Sequence, residues 1–315
     1  MTTLVTGALG CIGAWTVKHL VEQDQPVVSF DLAAKGHRID ALMTTEEQTK
    51  VTFVVGDLRD FDTVLNTFKE YGITKIIHLA ALQVPFCRAD PVKGAQVNVV
   101  GTVNIFEAAK QSGVRHIAQA SSIAVYGAPD DYDEQILGSE AKMQPRTLYG
   151  VYKQADEGIA RVYWNDYQLS SVALRPFTVY GVGRDQGLTS DPTKAMLHAV
   201  AGKPFHIGFG GKMQMQLASD TALQFIAASN AQIAGAMGFN MGGNIVSVEE
   251  IVHMIREEVP DAQITHESKS LPFPEGFDDS DLKKYLPHTE TPLRDGISRT
   301  VAHFKKLLAE SRVQL

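Results

Sequence analysis

A short apolar segment that runs directly into a glycine-rich loop, and from there into an amphipathic stretch, constrains the fold of this chain most strongly. The apolar segment is Thr2–Thr6, the loop GALGCIG occupies residues 7–13, and the amphipathic stretch continues to Glu22. Glycines at the first, fourth and seventh loop positions permit a tight turn, close approach of backbone amides to a pyrophosphate, and close helix–strand packing. The pattern predicts a strand, a phosphate-binding turn and a helix.

The same alternation continues along the chain. Further strands are predicted at Pro26–Asp31, Val51–Gly56, Lys75–Leu79, Val114–Ser121 and Ser170–Pro176, and helices at 60–71, 91–112 and 146–168. The strands are almost continuously apolar, which is typical of parallel strands buried on both faces. Together they predict an α/β chain with a Rossmann-type, doubly wound parallel sheet.

The pattern loosens after Pro176, where we place a domain boundary. Residues 1–175 are predicted to form a dinucleotide-binding Rossmann domain, and residues 176–315 a smaller C-terminal substrate-binding lobe. The chain is expected to return to the core around 219–242. A loop is predicted at 181–192, and the stretch Leu271–Pro287 is expected to be irregular. Helices are predicted near 193–202, 219–232, 247–259, 279–285 and 293–310.

Composition narrows the class of protein. The net charge is -7 and no basic run is present, which argues against a nucleic-acid partner. The longest apolar stretches have the length of strands, so no membrane span is expected. The two cysteines have no metal-ligand spacing, so no metal site is predicted and a reducing compartment is favoured. The chain is expected to be cytoplasmic and to act on a small molecule.

Asp31 ends the second predicted strand, 18 residues after Gly13. A carboxylate at this place accepts hydrogen bonds from the adenosine ribose and repels a 2′-phosphate, which favours NAD over NADP. The alternative is an ordinary solvated aspartate at a strand end. Asp57 and Leu58 are predicted to bracket the adenine, and the segment 79–81 is predicted to face the cofactor.

Tyr149 and Lys153 are four residues apart in a predicted helix, so both side chains project from one face. A free tyrosine is a poor base at neutral pH. A nearby lysine cation favours its phenolate form, and the same lysine can hold the nicotinamide ribose. The spacing is weak evidence alone, but it gains weight from Ser121 and Ser122 after the fifth strand. There a hydroxyl can bind the substrate oxygen, or the serines can simply form a turn.

These segments jointly resemble the extended short-chain dehydrogenase/reductase superfamily, in its NAD-dependent epimerase/dehydratase branch. The motifs that carry the resemblance span nearly the whole chain and are TGALGCIG at 6–13, Asp31, GDLRD at 56–60, HLAA at 78–81, NVVGT at 98–102, ASSIAVYG at 120–127, YGVYK at 149–153 and RPFTVYG at 175–181.

The resemblance implies Tyr149 as acid/base, Lys153 as its partner, and Ser122 rather than Ser121 as the residue that binds the substrate oxygen. It also implies a homodimer that pairs the helices near 91–112 and 146–168 of each subunit. The predicted NAD-binding residues are Gly7, Gly10, Cys11, Ile12, Gly13, Asp31, Asp57, Leu58, Leu79, Ala80, Ala81, Asn98, Tyr149, Lys153 and Phe177.

Departures from the family pattern bear on the substrate. Dehydratases of this branch carry an acidic pair where this chain has Ile123 and Ala124, so dehydration is not expected. Nucleotide-sugar epimerases usually carry an asparagine where this chain has Thr178, and an arginine near 211–217, where this chain has none. A diphosphate needs such charge-assisted donors. A smaller substrate is therefore favoured, with Ser122, Thr178 and Arg184 predicted to bind it.

Several side chains keep two interpretations. Arg184 can bind a carboxylate or phosphate, or can be a surface residue paired with Asp185. Met213 and Met215 can line a pocket or pack a strand, and His78 is interpreted as a hydrogen-bonded core residue. The leading functional hypothesis is an NAD-dependent dehydrogenase acting on a secondary alcohol of a sugar, sugar acid or similar compound. The alternatives are a nucleotide-sugar 4-epimerase with tightly bound NAD, and a non-catalytic dinucleotide-sensing scaffold.

Overall fold

The computed structural model describes residues 1–288 and 290–313. In chain order its strands are β1 (Thr2–Thr6), β2 (Val27–Asp31), β3 (Val51–Val55), β4 (Ile73–His78), β5 (His116–Ala120), β6 (Ile136–Leu137), β7 (Ser170–Arg175), β8 (Thr178–Tyr180), β9 (Phe205–Ile207), β10 (Lys212–Leu217), β11 (Ala236–Asn240), β12 (Asn244–Ser247), β13 (Ile264–His266) and β14 (Gly276–Phe277).

The α-helices are α1 (Cys11–Glu22), α2 (His37–Leu42), α3 (Thr45–Gln48), α4 (Phe61–Glu70), α5 (Val84–Ala89), α6 (Pro91–Ala95), α7 (Gly101–Gln111), α8 (Leu148–Tyr167), α9 (Asp191–Val200), α10 (Ala218–Asn230), α11 (Val248–Glu258), α12 (Ser280–Tyr285) and α13 (Leu293–Ala309). A π-helical segment, Gln96–Val100, joins α6 to α7.

The large sheet has seven parallel strands in the order β3-β2-β1-β4-β5-β7-β11. This order reverses between β1 and β4, where the chain crosses from one half of the sheet to the other. In such sheets the ligand lies beyond the carboxyl ends of the strands at the point of reversal. The predicted Rossmann-type architecture is confirmed.

The central strands are apolar because helices cover both faces of the sheet. Val5, Ile77 and Ala118 belong to the core cluster on the face covered by α1 and α10. Leu4, Ile76 and Ile117 belong to the cluster on the face covered by α4 and α7. Successive residues of one strand thus enter opposite cores, which explains the absence of polar alternation.

The chain after residue 130 contains strands that the sequence analysis did not predict. β8, β10 and β12 form a small mixed sheet, and the pairs β9–β13 and β6–β14 are parallel. β11 joins the edge of the large sheet beside β7, and α10 packs against α1. These strands are mostly three to six residues long, too short to show a clear period.

Three predicted elements need correction. The single helix predicted at 91–112 is α6, the π-helical segment and α7 in succession. Helix α9 begins at Asp191, inside the predicted loop 181–192, with Pro192 in its first turn. The stretch Leu271–Pro287 contains β14 as well as the predicted short helix. Within the described residues, no helix is both long and apolar enough to cross a membrane.

Candidate active site

The glycine loop connects β1 to α1 at the point where the strand order reverses. Gly7 has a φ of +65°, and a Cβ there would lie 2.6 Å from the Cα of Ala80. A Cβ on Gly13 would lie 2.1 Å from the carbonyl oxygen of Gly7. Side chains are therefore excluded at these two positions, and the 12-residue helix α1 begins within the loop with no side-chain cap on its N-terminus. This cradle of backbone amides and helix dipole fits a pyrophosphate.

Asp31 stands at the end of β2 and supports this loop. Its Oδ2 accepts the N–H of Leu9 at 2.9 Å, and its Oδ1 accepts the N–H of Leu32 at 2.8 Å. A carboxylate can accept about four hydrogen bonds, so both oxygens can also accept from a ribose. Asp31 is thus tied to the phosphate loop and is not merely solvated at a strand end.

Asn98 forms hydrogen bonds with the backbone of the segment that follows β4. This side chain is fully buried in the π-helical segment. Its Oδ1 accepts the N–H of Leu82 at 2.7 Å and its Nδ2 donates to the carbonyl of Leu82 at 2.9 Å. The structure therefore places Asn98 under the segment 79–82, where it fixes the backbone that is predicted to face the cofactor. A direct contact with NAD remains a prediction.

Asp57 and Leu58 follow β3 on the neighbouring side of the sheet. Asp57 is bound by Arg59 through a side-chain ion pair of 2.5 Å, which helps to lower the pKa of the carboxyl. Leu58 is buried, and its carbonyl accepts a hydrogen bond from Asn104 at 2.7 Å. Their predicted contact with the adenine is not tested by this arrangement.

A cavity of about 180 Å³ brings Tyr149, Lys153, Ser122 and Arg184 together at the carboxyl ends of β4, β5 and β7. Its other walls are Ile12, Leu79, Ala81, Gln83, Val84, Pro85, Ala120, Ser121, Ile123, Ala124, Pro176, Phe177, Val179, Leu188, Thr189 and Phe273. Among the described residues that line it, two are cations and none is a carboxylate. Such a cavity favours an anionic ligand.

The two serines after β5 have different partners. Ser121 is buried and donates to Oε1 of Glu157 at 2.5 Å. Ser122 is half-buried, and its Oγ accepts the N–H of Ala124 at 3.1 Å as the cap of a short 3₁₀ turn. Because that hydroxyl keeps its proton to donate, Ser122 is the better placed of the two to bind a substrate oxygen.

Lys153 lies on α8 one turn after Tyr149, and its side chain is 2% exposed. Its Nζ is 3.2 Å from Oδ2 of Asp156, which is equally buried. Burial works to lower the pKa of Lys153, but the opposing effects, led by the negative charge of Asp156, outweigh it, so the net pKa is raised. The side chain is therefore an ammonium at neutral pH, the form that favours a phenolate beside it.

Arg184 reaches the cavity from the loop between β8 and α9. Its Nη2 donates to Thr189 at 3.2 Å, while its buried Nε has no hydrogen-bond partner among the described residues. Asp185 is bound instead by Arg38, at 2.5 and 3.0 Å, and by His37. The interpretation of Arg184 as a surface residue paired with Asp185 therefore fails. Its guanidinium remains available to an anion.

Other predicted residues lie outside the cavity. Thr178 is fully buried in β8, its hydroxyl has no partner among the described residues, and it does not line the cavity. Met213 and Met215 are buried in the core, so they pack a strand. Gln214 and Gln216, on the opposite face of β10, bond to backbone groups of residues 177, 241–243 and 277.

Cys11 and His78 lie near the site, and the pKa values of both side chains disfavour their reactive or charged forms. Burial raises the pKa of the Cys11 thiol to about 11, although Arg184 and Arg38 oppose the shift. Burial, reinforced by Lys153, lowers the pKa of His78 to about 3. The ring nitrogens of His78 bond to Thr6 at 2.7 Å and to Thr102 at 3.1 Å, as expected for a core histidine.

Three residues that line or support the site were not predicted from the sequence: Asp156, Arg38 and Phe273. Asp156 stands three residues after Lys153, a helical spacing that was available as a signal. Arg38 and Phe273 gave no comparable signal. Arg38 holds a loop about 145 residues away, and Phe273 reaches the cavity from a stretch without a regular pattern.

The structure combines a parallel sheet and its glycine loop with a cavity that holds a tyrosine, a lysine and a serine. This combination defines a dinucleotide-dependent enzyme of the short-chain dehydrogenase/reductase type. The sequence profile of the NAD dependent epimerase/dehydratase family matches residues 3–219. The chain belongs to this family, and its cofactor is NAD.

Three known proteins illustrate the likeness. The UDP-glucose 4-epimerase of Mycolicibacterium smegmatis is 31% identical, over 97% of this chain and 99% of the relative. The crystal structure of the Thermus thermophilus UDP-glucose 4-epimerase in complex with NAD has a TM-score of 0.81 and 27% identity, and covers 97% of this chain and 99% of that one. A partial-consensus L-threonine 3-dehydrogenase has a TM-score of 0.84 with 24% identity, over 97% and 100% of the chains, a likeness of fold.

Proposed function

We propose that this NAD-dependent enzyme oxidises a secondary alcohol of a small anionic hydroxy compound, such as a sugar acid. The observation that carries the proposal is Arg184, which lines the catalytic cavity and has no carboxylate partner among the described residues. A carboxylate is the natural ligand of a free arginine fork.

The residues of this chain divide the work as follows. The glycine loop and the start of α1 hold the pyrophosphate, Asp31 the adenosine ribose, and Lys153 the nicotinamide ribose. Tyr149 takes the proton of the substrate hydroxyl at its phenolic oxygen, and Ser122 donates a hydrogen bond to the same substrate oxygen. Arg184 fixes the anionic end. When bound, NAD supplies the acceptor for the hydride of the alcohol carbon.

Dehydration does not fit this site. Ile123 and Ala124 line the cavity at the positions where dehydratases carry their acidic pair. No carboxylate stands among the described residues of the lining, so no group is placed to assist the loss of water.

A second candidate is a nucleotide-sugar 4-epimerase that keeps NAD bound between turnovers. The end-to-end identity with a UDP-glucose 4-epimerase favours it. Against it stands β10, where Gln214 and Gln216 are occupied by backbone groups and supply no cation for a diphosphate.

A substrate screen distinguishes the two. Purified protein is mixed with NAD⁺ and sugars, sugar acids or nucleotide sugars, and the absorbance of NADH is followed. We expect NADH to accumulate with a sugar acid, and Tyr149→Phe to reduce the rate by at least about a hundredfold, within the range for a general base, while NAD⁺ binding persists. Conversion of a nucleotide sugar without net NADH would contradict the proposal. Undiminished turnover by Tyr149→Phe would remove that residue from the chemistry.

We also infer that the chain has two lobes. Residues 1–175 would bind NAD and residues 176–315 the substrate, with the chain returning to the core around 219–242. The position of β11 in the large sheet supports this return. Cys11 and Cys87 are free thiols, which supports a cytoplasmic location.

We also infer a homodimer through α8 and its neighbour α7. One face of α8 carries exposed apolar side chains at Leu148, Val151 and Val162. Gly158 lies between them, and a Cβ there would meet nothing within 4 Å. Such a stripe is typical of a helix that packs against another helix.

A further inference from the structure

Asp156 is an ionisable side chain buried behind the cavity that none of the steps above uses. It is 1% exposed, and its Oδ2 is 3.2 Å from the Nζ of Lys153. Its other oxygen, Oδ1, has no hydrogen-bond partner among the described residues. A carboxylate in this setting is costly to bury unless a partner compensates for its charge.

The surroundings leave Lys153 as that partner. From α7, the hydroxyl of Thr102 donates its proton to the carbonyl of Asn98 at 2.5 Å and not to Asp156. From β4, His78 is neutral because burial lowers its pKa to about 3. From α5, Cys87 is a thiol whose pKa is raised by burial. On α8 itself, Glu157 is engaged by Arg175 at 2.7 and 2.8 Å, and Tyr149 stands on the cavity side of Lys153.

We propose that Asp156 is a positioning residue: its buried carboxylate keeps Lys153 in the ammonium form and anchors one of its three N–H donors. The other two donors are thereby left for the cavity, where the nicotinamide ribose and Tyr149 require them. The inference rests on the role proposed above for Lys153. It does not depend on which substrate the enzyme takes.

The titration of the pair gives the proposal a signature. Burial raises the pKa of Asp156 to about 6, although Lys153 opposes the shift. Above this pH the carboxylate is charged and compensates for the ammonium. Well below it the carboxyl is neutral, so the wild-type protein resembles one that carries an asparagine at this position. Lys153 itself is protonated at low pH in both.

The test is the affinity of the full chain for NAD⁺, measured by titration calorimetry at pH 5 and pH 8. At pH 8 we expect Asp156→Asn to weaken binding by about tenfold or more, because a buried lysine without its counter-charge loses its proton or turns away. At pH 5 we expect the two proteins to bind equally within about twofold. Asp166→Asn, the same substitution at an exposed position of α8, should match wild type at both values.

Two results of the comparison between the variant and wild type would overturn the proposal. One is equal affinity of Asp156→Asn and wild type at pH 8. The other is the same loss at both pH values, which indicates a merely structural effect. Should the asparagine variant fail to fold, Asp156→Ala is subject to the same comparison. In the wild-type protein alone, affinity should change less than about twofold from pH 7 to 9, because the pair keeps Lys153 charged; a tenfold loss would contradict the proposal. Since turnover is not measured, a failed substrate assignment leaves this test valid.

Discussion

Single side chains in this cavity differ in whether their hydrogen-bonding groups are already used. The hydroxyl of Ser121 is taken by Glu157, and the amide of Asn98 by Leu82. Ser122 and Arg184 line the cavity, and neither side chain has a carboxylate partner among the described residues. Each therefore keeps hydrogen-bonding capacity for a ligand.

For Arg184→Met, we expect the KM of an anionic substrate to rise about 10- to 100-fold, which corresponds to one lost charge-assisted hydrogen bond or pair. The affinity for NAD⁺ should change little. Steady-state kinetics on the best substrate of the screen, together with calorimetry of NAD⁺ binding, separate these quantities. Arg161→Met, at an exposed arginine of α8, is the control. An equal loss of NAD⁺ affinity would show that Arg184 serves the cofactor.

Among the structural elements, the loop of residues 181–190 carries Arg184 over the cavity, and α2 holds it in place. Arg38 donates to the carbonyl of Gly183 at 2.9 Å and to Asp185, and it also donates to the carbonyl of Leu9 in the phosphate loop at 3.0 Å. His37 binds the same Asp185. One arginine thus ties the loop of residues 181–190 to the glycine loop of residues 7–13.

Replacing Asp185 with asparagine should release this loop, because the charge-assisted bonds from Arg38 and His37 are lost or weakened. We expect amide hydrogen exchange across residues 181–190 to accelerate by about tenfold or more, measured by mass spectrometry on the protein without added ligand. Asp131→Asn is a matched control, since Asp131 is held in the same way by Arg146 at a different loop. Unchanged exchange in Asp185→Asn would show that other contacts fix the loop.

On the scale of the whole molecule, the exposed apolar stripe of α8 concerns assembly. Val100, in the π-helical segment, and Val92, in α6, are exposed on the adjacent elements. The π-helical segment also carries Asn98, which bonds to the backbone of Leu82, next to the segment 79–81 that is predicted to face the cofactor.

We expect the protein to be a dimer in solution and Val162→Arg to shift it to a monomer, because an arginine at the stripe would be desolvated against its symmetry mate. Size-exclusion chromatography with light scattering measures the mass. Ile245→Arg, at a similarly exposed apolar residue of β12, should remain dimeric. A monomeric wild-type protein, or a dimeric Val162→Arg, would refute the proposed interface.

The Rossmann-type sheet and the positions of Gly7, Asp31, Tyr149 and Lys153 could be predicted from the sequence alone. These features depend on local chemistry: continuous apolar strands, a turn without room for Cβ atoms, and an i, i+4 pair on one helix. The short strands β8, β10 and β12 were not predicted, because their pairing partners are distant in the chain. Burial, rather than a local sequence pattern, stabilises them.

Which polar groups remain available to a ligand could be read from the folded structure alone. The sequence places Asp185 beside Arg184, yet the carboxylate belongs to Arg38, about 147 residues away in the chain. It places Ser121 beside Ser122, yet Glu157 takes the first hydroxyl. Asp156 acquires its importance from being buried with Lys153. In each case the free energy of burying a charged or polar group depends on partners brought together by folding, and no spacing along the chain encodes that choice.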